Sequence, residues 1–277
     1  MTYRCFDVDI TDRVAHVRLN RPDELNTMTP DFWRELPEIV TGISDDATAR
    51  VVAISSTGRH FSAGMDLSVF GGDGLQADAE PGRKHARMRS SAKLLQWSFT
   101  ALEKARVPVL AACQGGVIGG AVDLVTACDL RYASADAFFC VQEINIGMTA
   151  DVGTLQRIGK VIPEGVAREL AYTGRRMQAA RAYEVGLVQE VFADADSLVE
   201  GVLATAREIA EKSPLAIWGT KVAMNYARDH SVDDSLEQIA TWQSGMFQPA
   251  DMVESFTAKA EKRPPAFPEL LPEPTSL

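Results

Sequence analysis

"VPVLAACQGGVIGGAVDLVTACDLRYAS", residues 107–134, reads as a strand, a glycine turn, a helix and a second strand in one unbroken run. Val107–Cys113 is apolar without alternation, the pattern of a short strand covered on both faces. The glycines at 115, 116, 119 and 120 let the chain turn sharply into a helix, and "DLRYAS" resumes as strand. "RVVAISS" (50–56) is another short apolar run, followed by the loop "TGRHFSAGMDL". Strands alternating with helices in this way predict an α/β core.

Upstream, "RCFDVDI" and "RVAHVRLN" read as two strands around Thr11-Asp12. In the second, Ala15, Val17 and Leu19 alternate with His16 and Arg18, so His16 is expected to face outward on a strand rather than act as a catalyst. "RPDELNTMTP" is loop, and Thr29-Pro30 opens a helix as N-cap and first-turn proline. Phe32, Leu36, Ile39, Val40 and Ile43 recur on one face of it. Residues 71–83 are rich in Gly and acids and suggest a mobile surface segment, and "SAKLLQWSFTALEK" is helical in pattern.

After about residue 160 the pattern is mostly helical, ending in an extended, proline-rich tail, "KRPPAFPELLPEPTSL". We therefore expect a core over residues 1–200 and a helical C-terminal region over 201–277.

With 46% hydrophobic residues among 277, the chain has enough apolar side chains for one large domain, or for a domain with a helical extension. A net charge of −10 argues against a nucleic-acid surface. Cys5, Cys113, Cys128 and Cys140 form no Cys-x-x-Cys pair and are read as reduced, buried thiols, with no metal site. No run approaches a membrane span, the start lacks an apolar signal core, and the terminal "TSL" lacks the basic middle residue of a peroxisomal address. The resulting expectation is a cytoplasmic, bacterial-type protein with no organellar import.

Two loops and three acids invite chemistry. "HFSAGMDL" (60–67) and "GGVIGGAVD" (115–123) each follow a strand, and peptide N–H groups from two such loops can stabilise a carbonyl oxygen that gains charge. "GGVIGG" lacks the order of a dinucleotide fingerprint. Asp123, Glu143 and Asp151 sit in the most apolar third of the chain, where a carboxyl group excluded from water can be raised toward neutral pKa and move protons. Each has a plainer explanation. Asp151 suits the N-cap of a helix through "GTLQR", Asp123 suits a helix dipole, and Glu143 suits a loop held by an arginine.

"HFSAGMDL", "GGVIGGAVDLVTACDLRYASADAFF" and "EINIGMTADVGTLQR" together resemble the enoyl-CoA hydratase/isomerase (crotonase) superfamily, across nearly the whole chain. The resemblance implies a spiral of ββα units with a C-terminal helical region that mediates homotrimers, often paired as hexamers. It implies an acyl-CoA thioester substrate, coenzyme A being part of that substrate, and no separate cofactor. Ala63 and Gly120 would supply the oxyanion-hole N–H groups. Glu24, Leu25, Asn26, Met65, Asp66, Leu67 and Gly116 would contact substrate or CoA; Asp66 is equally suited to capping a turn. Arg21, Arg83 and Lys84 are candidates for the phosphates.

Asp123 and Glu143 fall where the hydratases of this superfamily carry glutamates. Asp151 stands where they usually have glycine, and resembles the dienoyl-CoA isomerase branch. The expected reaction moves the double bonds of a 3,5-dienoyl-CoA to the 2,4 positions within fatty-acid β-oxidation. Asp151 would serve C2, Glu143 would serve C6, and Asp123 would orient or tune them. A hydratase, a single-carboxylate isomerase or lyase, and a non-catalytic RNA-binding scaffold are the alternatives.

Overall fold

The computed structural model describes residues 2–66, 69 and 80–274. The chain opens with a hairpin, β1 (Phe6–Thr11) and β2 (Val14–Leu19), then α1 (Pro30–Asp45) and β3 (Val51–Ser56). A long helix, α2 (Pro81–Lys104), leads to β4 (Val109–Cys113), β5 (Gly116–Ile118) and α3 (Gly120–Ala127). β6 (Leu130–Ser134) and β7 (Phe138–Cys140) repeat the two-strand step, followed by α4 (Thr154–Arg157) and α5 (Glu164–Thr173). β8 (Met177–Gln178), α6 (Ala179–Glu184), β9 (Val191–Phe192) and α7 (Ala195–Ala210) complete the core. Helices α8 (Pro214–Asp229), α9 (Val232–Met246) and α10 (Pro249–Glu261) follow.

Six strands form one sheet in the order β1-β2-β3-β4-β6-β9, parallel except for the β1/β2 hairpin. β5, β7 and β8 form a second sheet, so β4–β5 and β6–β7 each send one strand to either sheet. This is the expected α/β spiral of ββα units. The apolar run of β3 is continuous because both faces are covered. Val52 and Ile54 join the cluster under α1 and α3, while Val51 and Ala53 pack with Leu198, Val202 and Ala206 of α7. α7 therefore crosses residue 200 and belongs to the core by its contacts.

Several sequence expectations hold locally. The apolar face of α1 is buried throughout, and His16 turns away from the main core to bond Ser55 at 2.7 Å. Thr29 stands at the N-cap of α1, yet its hydroxyl meets the Cys5 thiol instead of a helix amide. Residues 71–79 of the expected mobile segment lie outside the described residues. Glu80 to Arg83 are instead the capped start of α2, with the Glu80 carboxylate accepting the amides of Gly82 and Arg83. Helices α8 to α10 fill the helical C-terminal region that the sequence leads one to expect. Among the described residues, no helix is long and apolar enough to cross a membrane.

The extended tail is strapped to the core by two buried arginines. Arg50 donates to both Glu269 oxygens at 2.7 Å, to Phe267 O at 2.7 Å and to Ala210 O at 2.9 Å. Arg106 reaches Ser44 O, Asp45 O and Leu271 O. Truncating Arg50 leaves main-chain acceptors unpaired in the interior, at roughly 1–3 kcal/mol for each such group. We expect Arg50→Ala to lower the urea midpoint of unfolding by a few kcal/mol equivalent without changing the slope, measured by circular dichroism.

Candidate active site

Residues 61–64 run beside 114–118. The Phe61 amide donates to Gln114 O at 2.8 Å, Ser62 N–H to Gly116 O at 3.2 Å, and Ile118 N–H to Ser62 O at 3.1 Å. On the other edge Met28 N–H donates to Gly64 O and Asp66 N–H to Met28 O. In such a parallel bridge the intervening amide, that of Met65, points away from Met28. Met65 N–H and Gly120 N–H, the first amide of α3, donate to nothing among the described residues. Both residues line a cavity of about 590 Å³. Gly64, with φ +90°, permits this approach, since a Cβ there would lie 2.6 Å from Ile118 O and 3.5 Å from Gly120 N.

The Ala63 amide is already engaged, donating to Leu25 O at 3.0 Å. An N–H held in a good hydrogen bond is not free for an oxyanion, so the available donor of this loop is Met65 rather than Ala63. N–H directions alternate along an extended segment. Choosing between residues 63 and 65 requires the pairing partner, Met28, which nothing local in the sequence reveals.

The three acids line the same cavity. Asp123 is fully buried one turn into α3, and its Oδ1 accepts the Thr154 amide at 2.5 Å. Its Oδ2 is buried and has no hydrogen-bond partner among the described residues. Burial, and then the charge of Glu143, push the Asp123 carboxyl up to about 7 against the opposing Thr154 amide. Glu143 lies in a 3-10 turn, Gln142–Ile146, with its carboxyl beside Gly119; a Cβ on Gly119 would sit 3.2 Å from Oε1. Burial raises its pKa, and Asp151 adds to the rise.

Asp151 is exposed on the cavity wall and does not cap α4. Gly153 is the N-cap residue, and the Thr154 amide is taken by Asp123 from another helix. The Asp151 backbone is held from α2 by Gln96, whose Nε2 donates to Asp151 O at 2.8 Å. Arg157, which sequence patterns did not single out, secures the same segment through Val152 O and the Glu103 carboxylate.

The expected CoA contacts separate into three groups. Met65 and Asp66 line the cavity, and Asp66 accepts the Thr27 hydroxyl at 2.8 Å. Asn26 is buried and clamps the loop instead, donating to Thr57 O and His60 O and accepting the Arg21 amide. Glu24 and Leu25 lie on the exposed turn before it and do not line the cavity, although Leu25 O holds the lining residue Ala63. Gly116 is buried in β5, its amide donating to His60 Nδ1, and does not line the cavity. Leu67 lies outside the described residues. Arg21 bonds Thr27 O, Arg83 pairs with Glu80, and neither they nor Lys84 line the cavity. Among the described residues, no group of three or more His, Cys, Asp or Glu is arranged to hold a metal ion.

The sequence profile of the family described as Enoyl-CoA hydratase/isomerase matches residues 9–270. A rat protein named Delta(3,5)-Delta(2,4)-dienoyl-CoA isomerase, mitochondrial, is 46% identical over 90% of this chain and 77% of its own length. The chain belongs to the enoyl-CoA hydratase/isomerase family. Another member, the peroxisomal Delta(3,5)-Delta(2,4)-dienoyl-CoA isomerase of Arabidopsis thaliana, is 39% identical over 93% of both chains. The crystal structure of an enoyl-CoA hydratase from Bacillus anthracis superposes with a TM-score of 0.84 at 30% identity, covering 95% of this chain and 99% of that one. The relatives' mitochondrial and peroxisomal names overturn the cytoplasmic, bacterial-type expectation. Organellar import uses signals other than an apolar secretory core, so the lack of such a core does not bear on it.

The raised Asp123 pKa has a consequence for stability. The folded chain holds this proton more tightly than the unfolded chain. The contribution is therefore complete below the ordinary value of 3.8 and is lost as pH rises through about 7. Asp123→Asn, which keeps an oxygen for Thr154, is expected to flatten the pH dependence of stability between about 4 and 7, measured by urea unfolding across that range.

Proposed function

We propose that the chain isomerises a 3,5-dienoyl-CoA to the 2,4-dienoyl-CoA by carboxylate-mediated proton transfer, as in fatty-acid β-oxidation. Its being an isomerase rests on relatives of that name over nine-tenths of the chain. The observation that carries the reaction is Asp151 on the cavity wall, released from helix capping and facing the same space as Glu143 and two unengaged amides.

One carboxylate removes a proton from C2. The electron pair moves into the thioester, giving a dienolate whose charge collects on the carbonyl oxygen. The amides of Met65 and Gly120 receive that oxygen; one such donor is typically worth about 10²–10³ in rate. The second carboxyl then protonates C6, which shifts the double bonds to the 2,4 positions with no net gain or loss of atoms. Glu143 and Asp151 share the two transfers, with Asp151 at C2, and buried Asp123 sets the electrostatics behind Glu143. Hydration, the second possibility, needs a water held between Asp123 and Glu143. It is favoured by structural neighbours named enoyl-CoA hydratase and by hydratases among the curated relatives at about 30% identity, below the 46% of the rat isomerase.

Exposed apolar side chains on α8, α9 and α10, among them Met224, Val232, Leu236 and Phe256, support a homotrimer in which these helices are covered by neighbouring copies. Sedimentation equilibrium should give three or six times the chain mass; a monomer at micromolar concentration defeats that assembly.

Conjugated-diene absorbance should appear on mixing the protein with a 3,5-dienoyl-CoA. Asp151→Asn should reduce it by about 10³-fold or more with the fold intact by circular dichroism. In D₂O, Asp151→Asn should abolish exchange at C2 while Glu143→Gln keeps it; the reverse pattern exchanges their roles. Unchanged turnover in Asp151→Asn removes that side chain from the chemistry.

A further inference from the structure

We infer, resting on the isomerase reading above, that His60 is a positioning residue: its neutral imidazole latches together the two loops that present the Met65 and Gly120 amides. Gly116 N–H donates to His60 Nδ1 at 2.8 Å. This places an acceptor on Nδ1 and therefore the ring proton on Nε2. The bond sits at the start of the parallel run of residues 61–64 beside 114–118, and the far ends of the two segments lead to Met65 and Gly120 at the cavity.

The packing around the ring is close. A Cβ on Gly115 would lie 2.9 Å from Nδ1 and one on Gly116 3.2 Å from it, so this pair of glycines matches the imidazole. The ring edge meets Phe138, with centroids 6.3 Å apart, and Phe138 pairs with Gly116 across the second sheet. His60 O also accepts from the Asn26 amide and the Ser56 hydroxyl, which fixes the residue from the opposite side. The Ser62 hydroxyl continues the clamp, accepting the Gly64 amide and donating to Asn26 O.

A proton on Nδ1 would set an N–H against the Gly116 N–H and open the latch. The charged groups around the ring are Arg59 on the same loop, Arg176 ahead of β8 and Asp136 between β6 and β7. Burial, then the two arginines, hold the imidazole pKa below its ordinary 6.5, with Asp136 opposing. The latch is therefore closed above that value and is lost as pH falls through the lowered folded pKa.

The test pairs two variants with a spectrum of the wild-type protein. His60→Leu removes the acceptor and should lower kcat by about tenfold or more with KM within about twofold, because ground-state binding does not depend on a tightly aligned oxyanion site. His60→Asn carries an oxygen at the position of Nδ1 and should keep kcat within about threefold of wild type, without the His60 contribution to the acid limb. Long-range ¹⁵N–¹H spectra at pH 7.5, assigned by loss of the signal in His60→Asn, should show Nδ1 unprotonated and Nε2 protonated. Wild-type kcat in His60→Leu, or equal losses in both variants, overturns the latch. So does an Nδ1-protonated ring in active wild-type protein, and this holds even when the leucine variant does not fold. Absence of dienoyl-CoA turnover in the wild type instead defeats the reaction and leaves the tautomer result standing.

Discussion

Two peptide amides can face one cavity only when their neighbours are engaged elsewhere. Here the 61–66 segment is paired on one edge with 114–118 and on the other with Met28, and Ala63 is drawn off by Leu25. What remains is one amide from an extended segment and one from the first residue of a helix, brought together because Gly64 has no side chain to hold the loops apart. Both donors are fixed by main-chain pairing, so in the proposed reaction they would meet developing charge without rearrangement. That is the condition under which such groups contribute most.

The acids are graded by burial around this point. Asp123 is sealed in α3 and satisfied on one oxygen by Thr154, Glu143 is partly covered, and Asp151 is exposed at the cavity wall. Each acid raises the cost of ionising its neighbour, Glu143 acting on Asp123 and Asp151 on Glu143. Burial makes Asp123 and Glu143 harder to ionise than an exposed carboxyl, which suits the proposed proton transfers. The same Asp123 oxygen that caps α4 frees Asp151 from doing so, which joins the helix start to the chemistry of the wall. α2 contributes from outside, through Gln96 on the Asp151 carbonyl and Glu103 on Arg157.

Further from the cavity, buried cations tie late parts of the chain to early ones. Arg50 and Arg106 hold the tail, and Lys221 of α8 donates to Leu102 O, Val107 O and the Asp129 carboxylate. In each case a long, buried side chain spans elements to reach main-chain carbonyls. The C-terminal region is thereby anchored at its base and along its tail, while α8 to α10 keep apolar side chains on the outside.

Strands β1 to β4 and β6, helices α1 to α3, the buried face of α1 and the three acids were legible from sequence because each is a local pattern: an apolar period, a glycine turn, a carboxylate among hydrophobes. The short strands β5, β7, β8 and β9, and α10 as a separate helix, were not. The superfamily followed from motifs that preserve those patterns together. Other features depended on what each residue meets across the fold. Met65 rather than Ala63 carries the unengaged amide because Leu25 and Met28 decide which N–H groups are taken. Asn26 clamps the loop, Asp123 caps α4, and Gly116 of β5 donates to His60 on the loop after β3. Sequence by itself determined which residue types were present to do chemistry. Only the tertiary structure decided which of their polar atoms were left unpaired, because hydrogen-bond partners distant in the chain compete for each one.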